Sequence, residues 1–145
     1  MNLKYNEFTL YGLSKYNEVI DIIIVSISKT TSYEICFDIR LMLTEALTNA
    51  FKHGNNNDEK KPIYLRYSLK NSKIKFEIED CGQGPKGVNF HRQIENENIL
   101  EETGRGLFII KSLADKLEVK NNILIIEKNL ASFIEANINT NEEMR

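Results

Sequence analysis

The sequence predicts an α+β fold, a two-layer sandwich in which helices cover one face of a largely antiparallel sheet. Three observations predict it. Two segments, near residues 14–29 and 33–54, repeat apolar residues at helical spacing. Two pairs of alternating segments are joined by two-residue turns, Asn71-Ser72 and Asn121-Asn122. The order of pieces is strand, two helices, strand pair, a long irregular segment, helix, strand pair.

Alternation in NEFTLYG marks a first strand at residues 5 to 11. SKYNEVIDIIIVSISK then reads as a helix with Ser14 as N-cap and an apolar stripe of Val19, Ile20, Ile23, Ile24 and Ile27. After a Thr-Thr-Ser break, YEICFDIRLMLTEALTNAFKHG forms a longer helix closed by Gly54, with Lys52 and His53 against its negative end. PIYLRYSLK and KIKFEIED form a hairpin, with Ile63, Leu65, Tyr67 and Leu69 sharing one face and Ile74, Phe76 and Ile78 another. Residues 81 to 103 start glycine-rich and continue polar, a length that suits a lid, about 85–103, more than a simple connection. GRGLFIIKSLADKL resumes as a helix, and LEVK with ILIIEK closes the fold as a hairpin whose two asparagines tolerate the positive φ of a type I′ turn. From Leu130 a partly helical, frayed tail is expected.

At 145 residues the chain is expected to form one domain, residues 1–145, with a core large enough to need neither disulfides nor a structural metal. No apolar run approaches the roughly 20 residues of a membrane span, and the start MNLKYNEFTL lacks the pattern of a secretory signal, so a cytoplasmic location is expected. A net charge of -2 with scattered Lys and Arg supplies no basic stripe, which argues against direct nucleic-acid binding. Cys36 and Cys81 lack metal-ligand spacing and read as plain thiols.

Three places carry chemistry. On the second long helix, Asp38, Glu45, Asn49 and Lys52 fall on one side while Ile39, Leu43, Leu47 and Ala50 fall opposite. Taken alone, that polar side is either a solvated surface or the wall of a cleft, in which Asn49 offers a neutral oxygen to Mg²⁺ and Glu45 acts as a base. Asp80 ends the strand KIKFEIED, and the period of two puts it on the face of Ile74, Phe76 and Ile78. Its carboxylate is held by the following loop amides or accepts a hydrogen bond from the exocyclic amine of adenine. Gly82 and Gly84 follow, and Gly104 and Gly106 open the next helix, where free amides suit phosphate. Arg105, between them, meets either a phosphate or solvent. GQGPKG matches the dinucleotide fingerprint in letters only, because no helix opens at once behind it, and no Gly-Lys-Ser/Thr phosphate loop is present.

EALTNAFKHG, then DCGQG at a strand end, then GRGLFII opening a helix together resemble the GHKL ATPase superfamily of gyrases, histidine kinases and MutL proteins. The resemblance runs from about residue 5 to residue 128, and FDIRLMLTEALTNAFKHG is especially similar to the anti-sigma factor serine kinases. It implies a two-layer α/β sandwich of the Bergerat type, with a mostly antiparallel mixed sheet and helices on one face. It also implies ATP and Mg²⁺ as ligands, Glu45 as general base, Asn49 as the magnesium ligand and Asp80 as the adenine acceptor. Gly82 and Gly84 would shape the adenine pocket and lid hinge, and Gly104, Arg105, Gly106 and Leu107 would line the phosphate side. His53 and Gly54 match the end of the first motif, with structural roles expected. In that branch the kinase, usually a homodimer, phosphorylates a serine of an anti-anti-sigma protein of the STAS type and holds a sigma factor. The closing hairpin departs from the superfamily in lacking its frequent Gly-Thr pair. Beside the kinase stand two further readings of the same pocket: an ATP-gated module that sequesters a partner without phosphotransfer, and an ATPase in which Glu45 activates water.

Overall fold

The computed structural model describes residues 5–82 and 102–131. Gly84, residues 85–101 of the expected lid and the tail beyond residue 131 lie outside the described residues, and the last two lid positions, 102 and 103, belong instead to a helix.

The chain runs β1 (Asn6–Tyr11), α1 (Tyr16–Ile27), α2 (Tyr33–Asn49), a π-helical turn (Ala50–Gly54), β2 (Pro62–Lys70), β3 (Lys73–Glu79), α3 (Glu102–Leu113), β4 (Lys116–Lys120) and β5 (Ile123–Asn129). The strands form one five-stranded sheet in the order β1-β2-β3-β5-β4. All four of its pairings among the described residues are antiparallel. The α+β, helices-on-one-side architecture expected from the element order is the one observed.

The register sorts side chains between two faces. Phe76 pairs with Ile126, Leu65 with Ile78 and Phe8 with Leu65, which places these apolar residues toward the helices. There they meet Val19, Ile20, Ile23 and Ile27 of α1, Ile39, Met42, Leu43 and Leu47 of α2, and Leu107 and Ile110 of α3 in one core. Burying each such side chain contributes about 1.5–3 kcal/mol. α2 packs against both α1 and α3. The opposite sheet face is polar, with Arg66 of β2 bridging Glu7, Glu77 and Glu79 of its two neighbouring strands.

Several local expectations are corrected. α1 begins at Tyr16 behind Lys15, and no side chain caps it, because Ser14 stands one residue too early to serve the first-turn amides. α2 does carry a side-chain cap, Ser32 Oγ accepting from the Ile35 N–H at 3.2 Å. Gly54 does not close the second long helix by a left-handed turn. Asn56 (φ 55°) and Asn57 (φ 60°) take that conformation, and the Asn57 N–H donates back to the Phe51 carbonyl. Leu69 is half exposed because β2 runs past the core before the turn at Asn71 and Ser72. In the closing hairpin only Asn121 has positive φ, since Asn122 is engaged elsewhere, so the I′ expectation, with both asparagines at positive φ, does not hold. α3 starts two residues before Gly104 and ends at Leu113, where Lys128 Nζ of β5 donates to the Leu113 carbonyl at 2.6 Å.

Candidate functional site

A cleft, open to solvent, runs between the C-terminal half of α2, the end of β3, the start of α3 and the β4–β5 turn. Ala46, Asn49, Asp80, Leu107, Val119 and Asn122 are among its lining residues, so Asn49 of α2 and Asp80 behind β3 face a common space, while Glu45 is not among the lining residues.

At one end lies Asn49, with Glu45 one helical turn before it on α2. The positions i and i+4 of a helix share a face, and here that face turns to α3. A Cβ at Gly106 would stand 2.9 Å from both Asn49 Nδ2 and Glu45 Oε2. Glycine at this place lets α3 close over the two polar side chains. Asn49 Nδ2 is buried with no hydrogen-bond partner among the described residues, a condition that costs about 1–3 kcal/mol until a ligand relieves it. Half a turn of the amide exchanges its oxygen and nitrogen, so the same group can offer an oxygen to a cation.

At the other end is Asp80. The parity read from β3 holds, and its carboxylate enters the apolar side half-buried. Burial raises its pKa above the usual carboxylate range, the Gly82 N–H opposes that by donating to Oδ1 at 2.7 Å, and nearby Glu79 adds to it. Gly82 takes φ +64° to bring that amide round, a conformation glycine adopts without strain. Gly54 lies directly under the carboxylate: a Cβ there would be 1.9 Å from Asp80 Oδ2. Its place in the sequence suggested a helix end; its function is to leave room for Asp80. The widened π turn, closed by the Asn55 N–H donating to the Ala50 carbonyl at 2.8 Å, delivers it there. Such turns recur at functional sites.

Of the remaining candidates, Leu107 is buried and lines the cleft. Gly104 falls in the first turn of α3. Arg105 is exposed and is not among the lining residues. Because α3 starts at Glu102, the amides of residues 102–104 are left free by helix geometry, and Gly106 serves packing against Glu45 and Asn49. Asn55 and Asn122, which hold the backbone around Asp80, were not singled out from the sequence. Their only signal was to follow the motif glycine and to sit in a turn.

Residues 23–128 match the histidine kinase-like ATPase domain. The chain belongs to that family. The histidine kinase-like ATPase domain thus covers the whole cleft, from α2 to the closing hairpin. Within it, the chain is 35% identical over 100 residues to a serine-protein kinase RsbW of Staphylococcus epidermidis, covering 61% of this chain and 60% of that one. It is 31% identical over 84 residues to an anti-sigma F factor of Oceanobacillus iheyensis, covering 57% and 58%, and 32% identical over 84 residues to an anti-sigma F factor of Clostridium perfringens, covering 57% and 60%. The matched segments span about 60% of the length of these curated relatives. No described helix is long and apolar enough to cross a membrane.

The donor set fits a magnesium nucleotide. Among the described residues no three His, Cys, Asp or Glu side chains gather as a metal cage, and magnesium in ATP-using sites typically takes one or two protein oxygens and completes its sphere with phosphates and water. Asn49, with its unpartnered amide, and Glu45 beside it are of that kind. Asp80, Ile78 and Leu107 offer a purine one charged acceptor and apolar walls.

Proposed function

We propose that this chain is an ATP-dependent protein-serine kinase and anti-sigma factor, which transfers the γ-phosphate of ATP to a serine of an anti-anti-sigma protein and sequesters a sigma factor. The observation that carries the reading is the opening of Asn49 and Asp80 onto one cleft, with Glu45 beside Asn49 at the Gly106 contact. The names of the relatives support a protein serine as acceptor and a sigma factor as partner, and the anti-anti-sigma protein and a homodimer rest on the resemblance alone.

In this reading Asp80 accepts the adenine amine and selects ATP over GTP. Asn49 holds magnesium, which when bound neutralises charge on the phosphates. The free amides at the start of α3 receive phosphate oxygens. Glu45 takes the proton of the acceptor serine as its oxygen bonds to the γ-phosphorus and the bond to the β-phosphate oxygen breaks, releasing ADP. Positioning and charge stabilisation of this sort suffice for phosphoryl transfer.

The test combines ATP calorimetry with transfer of labelled γ-phosphate to an anti-anti-sigma protein from a neighbouring reading frame. Glu45→Gln is expected to bind ATP normally and to lose about 10²-fold or more in transfer rate. Unchanged transfer removes Glu45 as the base. ATP binding with no transfer to any such partner replaces the kinase with a sequestering module.

A further inference from the structure

The sheet ladder around β3 stops at Glu79, which pairs with Tyr64 on one side and Ile123 on the other. The next two residues, Asp80 and Cys81, leave the sheet, and their peptide groups need new partners in a half-buried place. Two asparagines supply them. From the β4–β5 turn, the Asn122 carbonyl accepts from the Asp80 N–H at 3.2 Å, and Asn122 Nδ2 donates to the Asp80 carbonyl. From the residue after the π turn, Asn55 Oδ1 accepts from the Cys81 N–H at 2.8 Å.

Asn55 is wholly buried. Its Nδ2 donates to the carbonyls of Lys61 and Pro62, at 3.1 and 3.2 Å, which anchors the side chain to the start of β2. Three of the four hydrogen bonds an asparagine amide can make are therefore spent on backbone, and a group so held has little freedom to move. The Asp80–Cys81 peptide is fixed from both flanks, and the direction of the Asp80 Cα–Cβ bond with it. The carboxylate lies over Gly54, the neighbour of Asn55 in sequence, so one short segment both makes the space and sets what fills it.

We propose that Asn55 and Asn122 are paired positioning residues for base recognition, which hold the Asp80 backbone so that its carboxylate meets the exocyclic amine of the nucleotide base. The inference rests on the reading of Asp80 as the adenine acceptor. Neither asparagine needs to touch the base amine. Each acts through Asp80, and the property they govern is discrimination between bases that carry the amine and bases that lack it. Triphosphate affinity, set at the Asn49 end of the cleft, lies outside their reach.

The experiment compares, by calorimetry on the full chain, the affinities for ATP and for purine riboside triphosphate, which is ATP without the exocyclic amine. The intact protein is expected to prefer ATP by about ten-fold or more, as for a buried hydrogen bond to a charged acceptor. Asn55→Ala and Asn122→Ala are each expected to lower that ratio by about three-fold or more, through a loss of ATP binding larger than any loss for the amine-free analogue. Ile27→Val, a core substitution far from the cleft, supplies the control, lowering Tm without moving the ratio. A folded asparagine variant that keeps the native ratio overturns the proposal, as does a parallel weakening of both ligands. Should Asn55→Ala fail to fold, the ratio measured in Asn122→Ala, on the more accessible flank, decides. A ratio near one in the intact protein removes the adenine assignment of Asp80 itself, and a native ratio above ten with unaltered variants removes only the positioning role.

Discussion

Replacing Gly54 by alanine tests the base end of the cleft with a single methyl group. That methyl carbon would stand 1.9 Å from Asp80 Oδ2, 2.2 Å from Cγ and 2.7 Å from Cβ, against an ordinary contact of 3.4–4 Å. Turning the carboxylate aside clears Oδ2 but leaves the Asp80 Cβ too close, so the backbone must shift, and that backbone is held at both flanks. Overpacking of this kind costs about 1–3 kcal/mol of stability. With the acceptor displaced, ATP binding should lose about 1.5–3 kcal/mol, or roughly 10- to 150-fold. Gly106→Ala is the comparison. Its methyl meets side-chain ends of Asn49 and Glu45 at 2.9 Å, which can yield, so its effect on ATP affinity should be smaller. Calorimetry with ATP and thermal unfolding of both variants provide the readouts. If Gly54→Ala binds ATP within about two-fold of the native chain while Asp80→Asn does not, the steric account of Gly54 is wrong.

Asp80→Asn should weaken ATP binding by about 1–3 kcal/mol and yet stabilise the nucleotide-free protein. Burial holds the folded carboxyl above its ordinary value of 3.8, so the folded state resists ionisation. Native stability is therefore lost as pH rises from that value through the raised one, and the variant escapes the loss. Thermal unfolding from acid to neutral pH should show the two chains converging below the ordinary carboxylate range and the variant higher above it. A native chain equal or superior at neutral pH would contradict this. Asn49→Ala should abolish the Mg²⁺ dependence of triphosphate binding and leave adenosine binding intact, as titrations with and without metal will report. Ser32→Ala removes the one side-chain cap of α2 and should cost about 0.5–2 kcal/mol in denaturant unfolding.

Much of this was legible in the sequence because it depends on periodicity. The stripe of Val19, Ile20, Ile23 and Ile27, the parity that turns Asp80 inward and the polar side of α2 with Glu45 and Asn49 follow from the spacing of neighbours along one element. The resemblance then chose the cleft over the solvated face. What escaped depends on contact between distant elements. Asn55 meets Cys81 across 26 residues and Asn122 meets Asp80 across 42, and no local pattern ties either asparagine to Asp80. Gly54 misled for the same reason: at the end of a helix it reads as a cap, while the carboxylate it accommodates comes from another strand. The misplaced cap of α1 is a different failure, since Ser14 has the right chemistry one position too soon.

The wide turn Ala50–Gly54 continues α2 as one rod, so Asn49 and Gly54 report on opposite ends of the cleft from a single axis. Their angular offset is a property of these five residues alone. Winding the same five residues as ordinary α-helix would turn Gly54 by roughly a quarter turn about that axis, while Asn49 kept its place. In the proposed reading, the spacing between the base end and the phosphate end of the cleft is thereby set by one local helical irregularity.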